Sequence, residues 1–451
     1  MIDFSNIDKW SWKYDLFNRY LRFNHNKVYY KEYRVDNQDK VPPPGEPLFI
    51  IGNHQNGLTD ALVLLYMYPD KRQPVFIARG DIFKKDFVAK LLHFLKILPS
   101  FRDRDGSRGD VRANSNIFNI AAEVLGRGNT LVMFPEASHQ HGNYLGGFKK
   151  GFPRIALDAE AKHDFKLGVK ILPVNIYYED YYNFHSRVLA TVGEAFTIES
   201  LKELYDTEPN SAYLKLNEMA REKLKEITLD EDPEFYPQYD TLRKILRRNR
   251  IRKRGGNPKD LCEMKTEDIQ IVAELDQLKK TDNERFTKLM NDAAAYEKGV
   301  RKLKIRDWLV ESKIPLVTLV LKSLLLLVTF PFYLFGLINN GLPFHAPNLL
   351  KKKIKDKQLH SSMNFAPAVL FTFPIMYLII FIIAWIVSGK WWISLVYCVV
   401  AFWSLLIYNA YRKAFVKWRG SCRYRSLERK KNSLLLNIKE IKGRIMRKDL
   451  I

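Results

Sequence analysis

The sequence predicts an α/β domain with a mixed, largely parallel sheet, followed by a helical basic region and C-terminal membrane helices. Short apolar runs alternate with amphipathic stretches over residues 29–200, which is typical of strands and helices in turn. Residues 201–313 carry dense charge over helical periodicity, and long apolar runs are concentrated after residue 314. The 451 residues are enough for about three structural units.

Composition narrows the class of protein. The chain is 47% hydrophobic and carries 73 Lys+Arg against 50 Asp+Glu, a net charge of +23, which excludes wholesale disorder. Its three cysteines show no C-x-x-C spacing, so a disulfide framework and a Cys-based zinc site are not expected, and a reducing compartment fits. No secretory signal opens the sequence, and we expect the catalytic domain to face the cytoplasm.

Several elements of the α/β domain can be placed directly. Apolar runs predict strands at residues 48–52, 74–78, 130–134, 169–177 and 188–192, with helices at 83–98 and 114–125. Before them, residues 1–28 predict an amphipathic helix whose apolar face holds Trp10, Tyr14, Phe17 and Leu21. That face either packs on the domain or lies at a membrane interface, where aromatic side chains are favoured; the membrane segments favour the interface.

The charged region, residues 201–313, predicts helices. Its apolar side chains recur at helical spacing, as at Ile269, Val272, Leu275 and Leu278. A basic run at residues 243–256 predicts a surface that faces polyanions or, alternatively, a solvated face. No helix-turn-helix, RNP or zinc-finger pattern occurs, so anionic membrane lipids are favoured over nucleic acid as partners.

Residues 314–411 predict membrane segments. The runs 314–338, 366–387 and 391–408 are long enough for a ~30 Å hydrocarbon core. Basic residues precede, separate and follow them, so the positive-inside rule favours an even number of crossings. We therefore expect 366–387 and 391–408 to form a transmembrane hairpin and 314–338 to be re-entrant or interfacial. Residues 412–451 predict a basic amphipathic tail on the membrane surface.

One histidine stands out as a candidate general base. The predicted strand at 48–52 delivers His54 to its carboxyl end, where ligands bind in open α/β sheets. Asp60 follows six positions later and could orient the imidazole and stabilise its protonated form. The pair can activate an alcohol without a protein nucleophile. The alternative is a capping histidine beside a helix N-terminal aspartate.

Other polar residues suggest a phosphate site. Arg102 and Arg104 lie in a loop that ends in glycine and offer planar donors suited to a phosphate. Glu136 directly follows a predicted strand. A metal cluster of Glu136, His139 and His141 is a weaker alternative, because no further ligands stand at known spacing. A serine hydrolase is excluded, since no G-x-S-x-G occurs.

Four blocks, in this order, resemble the glycerophospholipid acyltransferase superfamily (PlsC-like 1-acylglycerol-3-phosphate and glycerol-3-phosphate acyltransferases) over residues 29–196. They are Asn53-His54…Asp60, Pro99…Arg102, Phe134-Pro135-Glu136-Ala137-Ser138 and Leu172-Pro173-Val174. The resemblance implies that His54 and Asp60 are catalytic. It also implies substrate-binding roles for other residues: Arg102, Arg104, Glu136, Ser138, Lys149 and Pro173.

The sequence departs from the family pattern in two places. Five residues separate His54 from Asp60, where four are usual, and Gly57 could absorb the extra residue because glycine tolerates positive φ. Ala137 replaces the glycine that usually follows the glutamate. Both departures leave open an inactive homologue that tethers membranes.

The activity that the resemblance implies is transfer of a fatty acyl chain from a thioester to a hydroxyl of lysophosphatidic acid in phospholipid biosynthesis. The acceptor could instead be glycerol 3-phosphate or a lyso-aminolipid. Acyl-CoA or acyl carrier protein would be the donor, no cofactor is expected, and the protein would work at a membrane.

Overall fold

The computed structural model describes residues 2–100, 108–140, 142–310, 312, 314–352, 354 and 359–447. The chain divides into two compact units, Met1–Asp230 and Glu231–Ile451.

The first unit contains an eight-stranded sheet and seven α-helices within the described residues. The strands are β1 (Tyr30–Asp36), β2 (Leu48–Gly52), β3 (Val75–Arg79), β4 (Ile97–Ser100), β5 (Thr130–Met133), β6 (Lys170–Tyr178), β7 (Ser186–Val192) and β8 (Phe196–Thr197). The helices are α1 (Trp12–Phe23), α2 (Leu58–Tyr66), α3 (Asp86–Phe94), α4 (Arg108–Gly126), α5 (Gly151–Ala161), α6 (Lys202–Thr207) and α7 (Pro209–Ile227).

The sheet is mixed and mostly parallel, which confirms the predicted fold class. Its order is β1-β7-β6-β2-β5-β3-β4, with β8 beside β6. Among the described strands, the antiparallel pairs are β6–β7 and β6–β8, and the other pairs are parallel. Every residue of β2 is buried, because this uniformly apolar strand is covered on both faces.

Parallel pairing brings the carboxyl ends of β2 and β5 to one edge of the sheet. Ile51 of β2 lies opposite Met133 of β5 and Pro173 of β6. Segments that continue beyond the carboxyl ends of β2 and β5 therefore meet there, beside the second half of β6. Asn53 anchors the end of β2, since its side chain exchanges two hydrogen bonds with the backbone of Ile176, of 3.0 and 2.7 Å.

Three strands were not predicted from the sequence, and one predicted helix is longer than the observed one. The five predicted strands are present within two residues of their expected bounds, whereas β1, β4 and β8 were not predicted. The helix predicted over 83–98 ends at Phe94, because Lys96 has φ +58° and the chain then enters β4. Both β1 and β4 lie at sheet edges, and their pairing with distant strands leaves little local pattern in the sequence.

Helix α1 exists, but its exposed apolar face differs from the predicted one. Tyr14 is buried, and its ring lies 6.2 Å from that of Phe94. The exposed apolar side chains are instead those of Trp12, Leu16, Tyr20 and Phe23. These residues recur at helical spacing, so the interfacial role of α1 stays a prediction that now rests on this other face.

Ten helices make up the described part of the second unit. They are α8 (Tyr236–Lys253), α9 (Leu261–Thr281), α10 (Asn283–Leu303), α11 (Asp307–Val310), α12 (Leu316–His345), α13 (Asn348–Lys351), α14 (Leu359–Pro367), α15 (Phe373–Ser388), α16 (Trp391–Arg429) and α17 (Ser433–Arg447). On α9, Val272, Leu275 and Leu278 are buried, as the apolar stripe predicts, while Ile269 is half-buried.

Part of the basic run at residues 243–256 is paired within the protein, and for its exposed side chains the interaction with polyanions stays a prediction. Arg243 is buried and donates to the carboxylates of Glu231 and Asp268, at 2.5 and 2.7 Å. Arg250 donates to both oxygens of Glu274 on α9. A charge of this kind leaves water only when it is paired, so α9 neutralises one side of the run. Exposed basic residues remain at Arg248, Arg252 and Lys253.

Three helical runs are long and apolar enough to cross a membrane. They are Leu316–Lys351, Leu359–Ser388 and Trp391–Arg429. Helix α12 continues through Pro331 without a break. The number of crossings is not decided by these lengths and stays a prediction.

Candidate active site

His54 and Asp60 form a hydrogen-bonded pair at the carboxyl end of β2. Nδ1 of His54 lies 2.9 Å from Oδ2 of Asp60. The carboxyl group is fully buried, whereas the imidazole keeps 15% of its side-chain surface exposed. A carboxylate at Nδ1 holds the neutral ring with its proton on that nitrogen, so Nε2 carries the lone pair that can accept a proton.

The carboxylate of Asp60 is held by three further donors. Oδ2 accepts the backbone N–H groups of Gln55 and Asn56, at 2.8 and 2.6 Å. Oδ1 accepts the hydroxyl of Tyr178 from β6, at 2.6 Å. Buried donors that converge on one carboxylate fix its position. Asp60 is thus a rigid support for the imidazole.

Two aromatic rings lie against the His54 imidazole. The Phe134 ring is stacked on it, with centroids 4.2 Å apart and planes 11° apart. The His139 ring is tilted by 45° to it, with centroids 4.1 Å apart. These contacts restrict rotation of the imidazole away from Asp60.

Glu136 lies beside the pair and accepts hydrogen bonds from two backbone N–H groups. Its Oε1 accepts the N–H of His54 at 2.9 Å, and its Oε2 accepts the N–H of Gly146 at 2.8 Å. A Cβ on Gly146 would stand 2.9 Å from Oε2, so the loop approaches this closely only because the residue is glycine. Glu136 links the base to the Gly146 loop.

The pKa of Glu136 gives a prediction on stability. Burial raises this pKa from 4.5 to about 7, against the opposing effect of the N–H groups of Gly146 and His54. Because the folded state favours the protonated carboxyl, its contribution to stability is full below pH 4.5 and is lost as the pH rises through about 7. Relative to a Glu136→Gln variant, the wild-type free energy of unfolding should fall by up to about 3 kcal/mol over that range.

Thermal or urea unfolding of both proteins, measured at several pH values in the same detergent, checks this result. The comparison uses the slope with pH, because Glu136→Gln also changes the hydrogen bonds at every pH. Parallel profiles for the two proteins would contradict the prediction.

The extra residue between His54 and Asp60 is accommodated in a tight turn at Gly57. This residue has φ +53° and ψ −123°, and the Thr59 N–H donates to the Asn56 carbonyl at 3.2 Å. These angles are those of the first central residue of a type II′ turn, which glycine strongly dominates. The turn returns the chain to place Asp60 beneath the imidazole.

Gly57→Ala should therefore destabilise the protein by roughly 1–2 kcal/mol and lower its activity, because a Cβ is strained at this φ. Melting curves and transfer rates measure the two effects. The matched control for stability is Gly147→Ala, since a Cβ there meets nothing within 4 Å and φ is not positive. Equal melting temperatures for the two variants would show that the turn is not strained.

The remaining predicted site residues are dispersed or not described. Arg102 and Arg104 lie outside the described residues, as does His141 of the alternative metal cluster. Ser138 and Lys149 are exposed, and the Lys149 N–H donates to the Pro135 carbonyl at 2.8 Å.

Pro173 is buried in β6 and pairs with Ile51 of β2, which precedes His54 by three residues. Within the described part of the chain, no group of three His, Cys, Asp or Glu side chains is placed to hold a metal ion.

Comparison with known protein families identifies the kind of domain that contains the candidate site. A family model described as Acyltransferase matches residues 32–177, the part of the chain that contains His54, Asp60 and Glu136. Residues 32–177 are an acyltransferase domain. Its predicted family is thereby confirmed.

Named relatives are similar over part of their length. The chain is 26% identical over 171 residues to a chloroplastic 1-acyl-sn-glycerol-3-phosphate acyltransferase of Brassica napus, covering 36% of this chain and 44% of the relative. It is 24% identical over 142 residues to one of Arabidopsis thaliana, covering 32% and 35%. The chain thus spans less than half the length of these curated relatives.

A crystal structure of the 1-acyl-sn-glycerophosphate acyltransferase PlsC from Thermotoga maritima is 20% identical, with a TM-score of 0.32. The similarity covers 45% of this chain and 79% of that one.

The acyltransferase domain contains positions that the sequence analysis missed or read differently. Tyr178 and Phe134 contact the pair from β6 and from the end of β5, and His139 was weighed only as a metal ligand. An aromatic residue directly before Pro135 was a usable signal for Phe134, whereas Tyr178 is 118 residues from Asp60 and had none. Ala137, where the family has glycine, has φ +54°, which explains why glycine suits that position.

Proposed function

We propose that the protein is a membrane-associated O-acyltransferase that moves a fatty acyl chain from a thioester to a hydroxyl of lysophosphatidic acid in phospholipid biosynthesis. The observation that carries the proposal is the His54–Asp60 hydrogen bond at the carboxyl end of β2, inside the acyltransferase domain. The named activity of the curated relatives supports the choice of acceptor.

In the proposed reaction, Nε2 of His54 accepts the proton of the acceptor hydroxyl as its oxygen attacks the thioester carbonyl. The new C–O bond forms, the C–S bond breaks, and the proton passes from the imidazolium to the departing thiolate. Asp60 stabilises the imidazolium, because its carboxylate lies at Nδ1 in a buried setting. No covalent enzyme intermediate is required.

Glu136 has a positioning role in this proposal. Both of its carboxylate oxygens accept backbone N–H groups, so it holds His54 against the Gly146 loop. The proposed phosphate ligands are Arg102 and Arg104, whose guanidinium groups suit a dianion. Ser138 and Lys149 are exposed close by in sequence and would help to bind the acceptor, while Pro173 would shape the wall near the donor.

A membrane location suits this chemistry. Moving a long acyl chain from a bilayer to water costs about 0.8 kcal/mol per CH₂, so a site near the interface spares most of that cost. The net charge of +23 would attract anionic lipid and acidic donors such as coenzyme A or acyl carrier protein. We propose that the domain faces the cytoplasm.

The test is mass spectrometry of the products formed by purified protein in vesicles. Lysophosphatidic acid, glycerol 3-phosphate and a lyso-aminolipid are each offered with acyl-CoA and with acyl carrier protein. We expect phosphatidic acid from lysophosphatidic acid. No thioester release with any acceptor would favour the inactive tethering homologue, and release without an acylated product would show hydrolysis and contradict acyl transfer.

A further inference from the structure

The helices that flank the membrane region pack against each other. Ile438 of α17 is fully buried, and a Cβ on Gly299 of α10 would lie 2.7 Å from its side chain. Arg444 pairs with Asp292 of α10 at 2.8 Å. The tail therefore packs its apolar side on α10, where the sequence analysis expected it to lie on the membrane.

This contact limits the number of membrane crossings. Helix α10 precedes the three apolar runs and α17 follows them, so both ends of the membrane region lie on one side of the bilayer. An odd number of crossings would separate them. The three candidate runs consequently cannot all span the membrane, although each is long enough.

Helices α12 and α16 are antiparallel neighbours in a defined register. At one end the Trp418 indole N–H donates to the Ser323 hydroxyl at 2.9 Å. At the other end the Asn340 amide donates to the Ala401 carbonyl at 3.0 Å. In both contacts the two residue numbers add up to 741, so each residue of α12 faces the residue of α16 whose number completes that sum. The apolar run 316–338 therefore lies beside residues 403–425 of α16.

Buried polar contacts lock this register. The Asn340 amide group also donates to the Ser404 hydroxyl at 3.0 Å and accepts the Tyr377 hydroxyl at 2.5 Å. Gly336 lies so close to α16 that a Cβ would stand 2.9 Å from the Ser404 carbonyl oxygen. A slide by one turn would leave polar groups unpaired in an apolar setting and create a clash.

Because the register is fixed, the apolar surface of α12, α15 and α16 is longer than the hydrocarbon core is thick. It therefore does not fit helices that cross the bilayer perpendicularly. Helix α15 pairs with the first half of α16, while the exposed apolar side chains of α12 extend to Leu316, beside about residue 425. From Trp391 to that level the surface covers about 50 Å at 1.5 Å per residue. The hydrocarbon core is about 30 Å thick.

Basic side chains occupy the second half of α16. Lys417, Arg419 and Arg423 are exposed, beside the first third of α12, from Leu316 to about residue 324. If α12 crossed the bilayer, some of these charges would enter the hydrocarbon, at up to about 2.5–3.5 kcal/mol each near its centre. If only α15 and the first half of α16 crossed, the apolar half of α12 would protrude into water by about 20 Å.

We propose that α12, α15 and α16 bind along one face of an anionic bilayer and do not cross it. The apolar sides of α12 and α15 enter the boundary between headgroups and acyl chains, and the basic side chains of α16 reach the headgroups. This arrangement brings the apolar sides of α12 and α15 into contact with lipid, keeps the charges out of the hydrocarbon and leaves α10 and α17 on one side. It replaces the transmembrane hairpin predicted from hydropathy.

The first test is cysteine accessibility in the full chain. Cys262, Cys398 and Cys422 are replaced by serine, and single cysteines are placed at Arg306, Lys352 or Lys390, before α12, after α13 and between α15 and α16. The protein is added to sealed phosphatidylcholine–phosphatidylglycerol vesicles and treated with a membrane-impermeant maleimide. All three positions should label as fully as they do in detergent, with Arg306→Cys marking the aqueous side.

Protection of Lys390→Cys alone would show a crossing hairpin, and protection of Lys352→Cys alone would show that α12 and α15 cross. Either result overturns the proposal.

The second test measures depth. Fluorophores on Leu321→Cys and Ile338→Cys should be quenched to the same shallow depth by brominated lipids. Unequal depths, no quenching, or disulfide-linked dimers through position 321 would each contradict in-plane binding. Circular dichroism confirms that each variant keeps its helical content.

Discussion

His54→Ala is expected to lower the rate of acyl transfer by roughly 100- to 10,000-fold, the usual contribution of a general base. No other described side chain is placed against Asp60 to take over the proton, because the other three donors to that carboxylate are two backbone amides and Tyr178. The fold should survive, since the imidazole lies at the edge of the sheet rather than in its core. Initial rates with a radiolabelled thioester and lysophosphatidic acid measure the effect.

The matched control is His163→Ala, which removes an exposed histidine outside the site. It should transfer acyl groups at the wild-type rate. His54→Phe serves as a second variant, because it keeps a ring in contact with Phe134 and His139 but has no basic nitrogen. If His54→Ala or His54→Phe acylates the acceptor as fast as wild type, the assignment of the base is wrong.

Asp60→Ala is expected to reduce both stability and activity. Removal of this buried carboxylate leaves the N–H groups of Gln55 and Asn56 and the hydroxyl of Tyr178 without their acceptor. Each unsatisfied buried group costs about 1–3 kcal/mol, so a total loss of roughly 3 kcal/mol or more is expected. The rate should fall at least about 100-fold, because the imidazolium loses its counter-charge.

Tyr178→Phe separates the two effects of Asp60→Ala. It removes one donor to the carboxylate and leaves the contact between His54 and Asp60 in place. We expect a loss of roughly 1 kcal/mol in stability and a much smaller loss of rate than for Asp60→Ala. Unfolding midpoints measure the change in stability, and initial rates on the same preparations measure the change in acyl transfer. An Asp60→Ala protein that keeps the wild-type rate would remove Asp60 from the mechanism.

Membrane binding and chemistry are separable in these experiments. The labelling of Lys352→Cys and Lys390→Cys needs no activity, and the transfer assay needs no particular number of crossings. A protein that binds in-plane and yet transfers no acyl group would remove the proposed function while leaving the membrane geometry intact. A protein that transfers acyl groups but protects Lys352→Cys or Lys390→Cys from labelling would remove the membrane geometry while leaving the proposed function intact.

The sequence by itself determined the fold class and the central strands, and it indicated His54 as the candidate base. Runs such as that of β2 are apolar throughout because both faces are buried, and a polar residue directly after such a strand has to lie at the sheet edge. His54 and Glu136 were found for this reason, and Gly57 was recognised because only glycine accepts the required turn. These signals are local in the chain.

Only the tertiary structure decided which surfaces are covered and which groups meet. The sequence marks a residue as apolar or charged but does not say what it contacts, so Tyr14, Arg243 and Ile438 were all assigned to outer surfaces and are instead buried. The same holds for the contact of Tyr178 with Asp60 and for the register of α12 on α16. Each depends on pairing between residues far apart in the chain, whose energy exists only once the chain is folded.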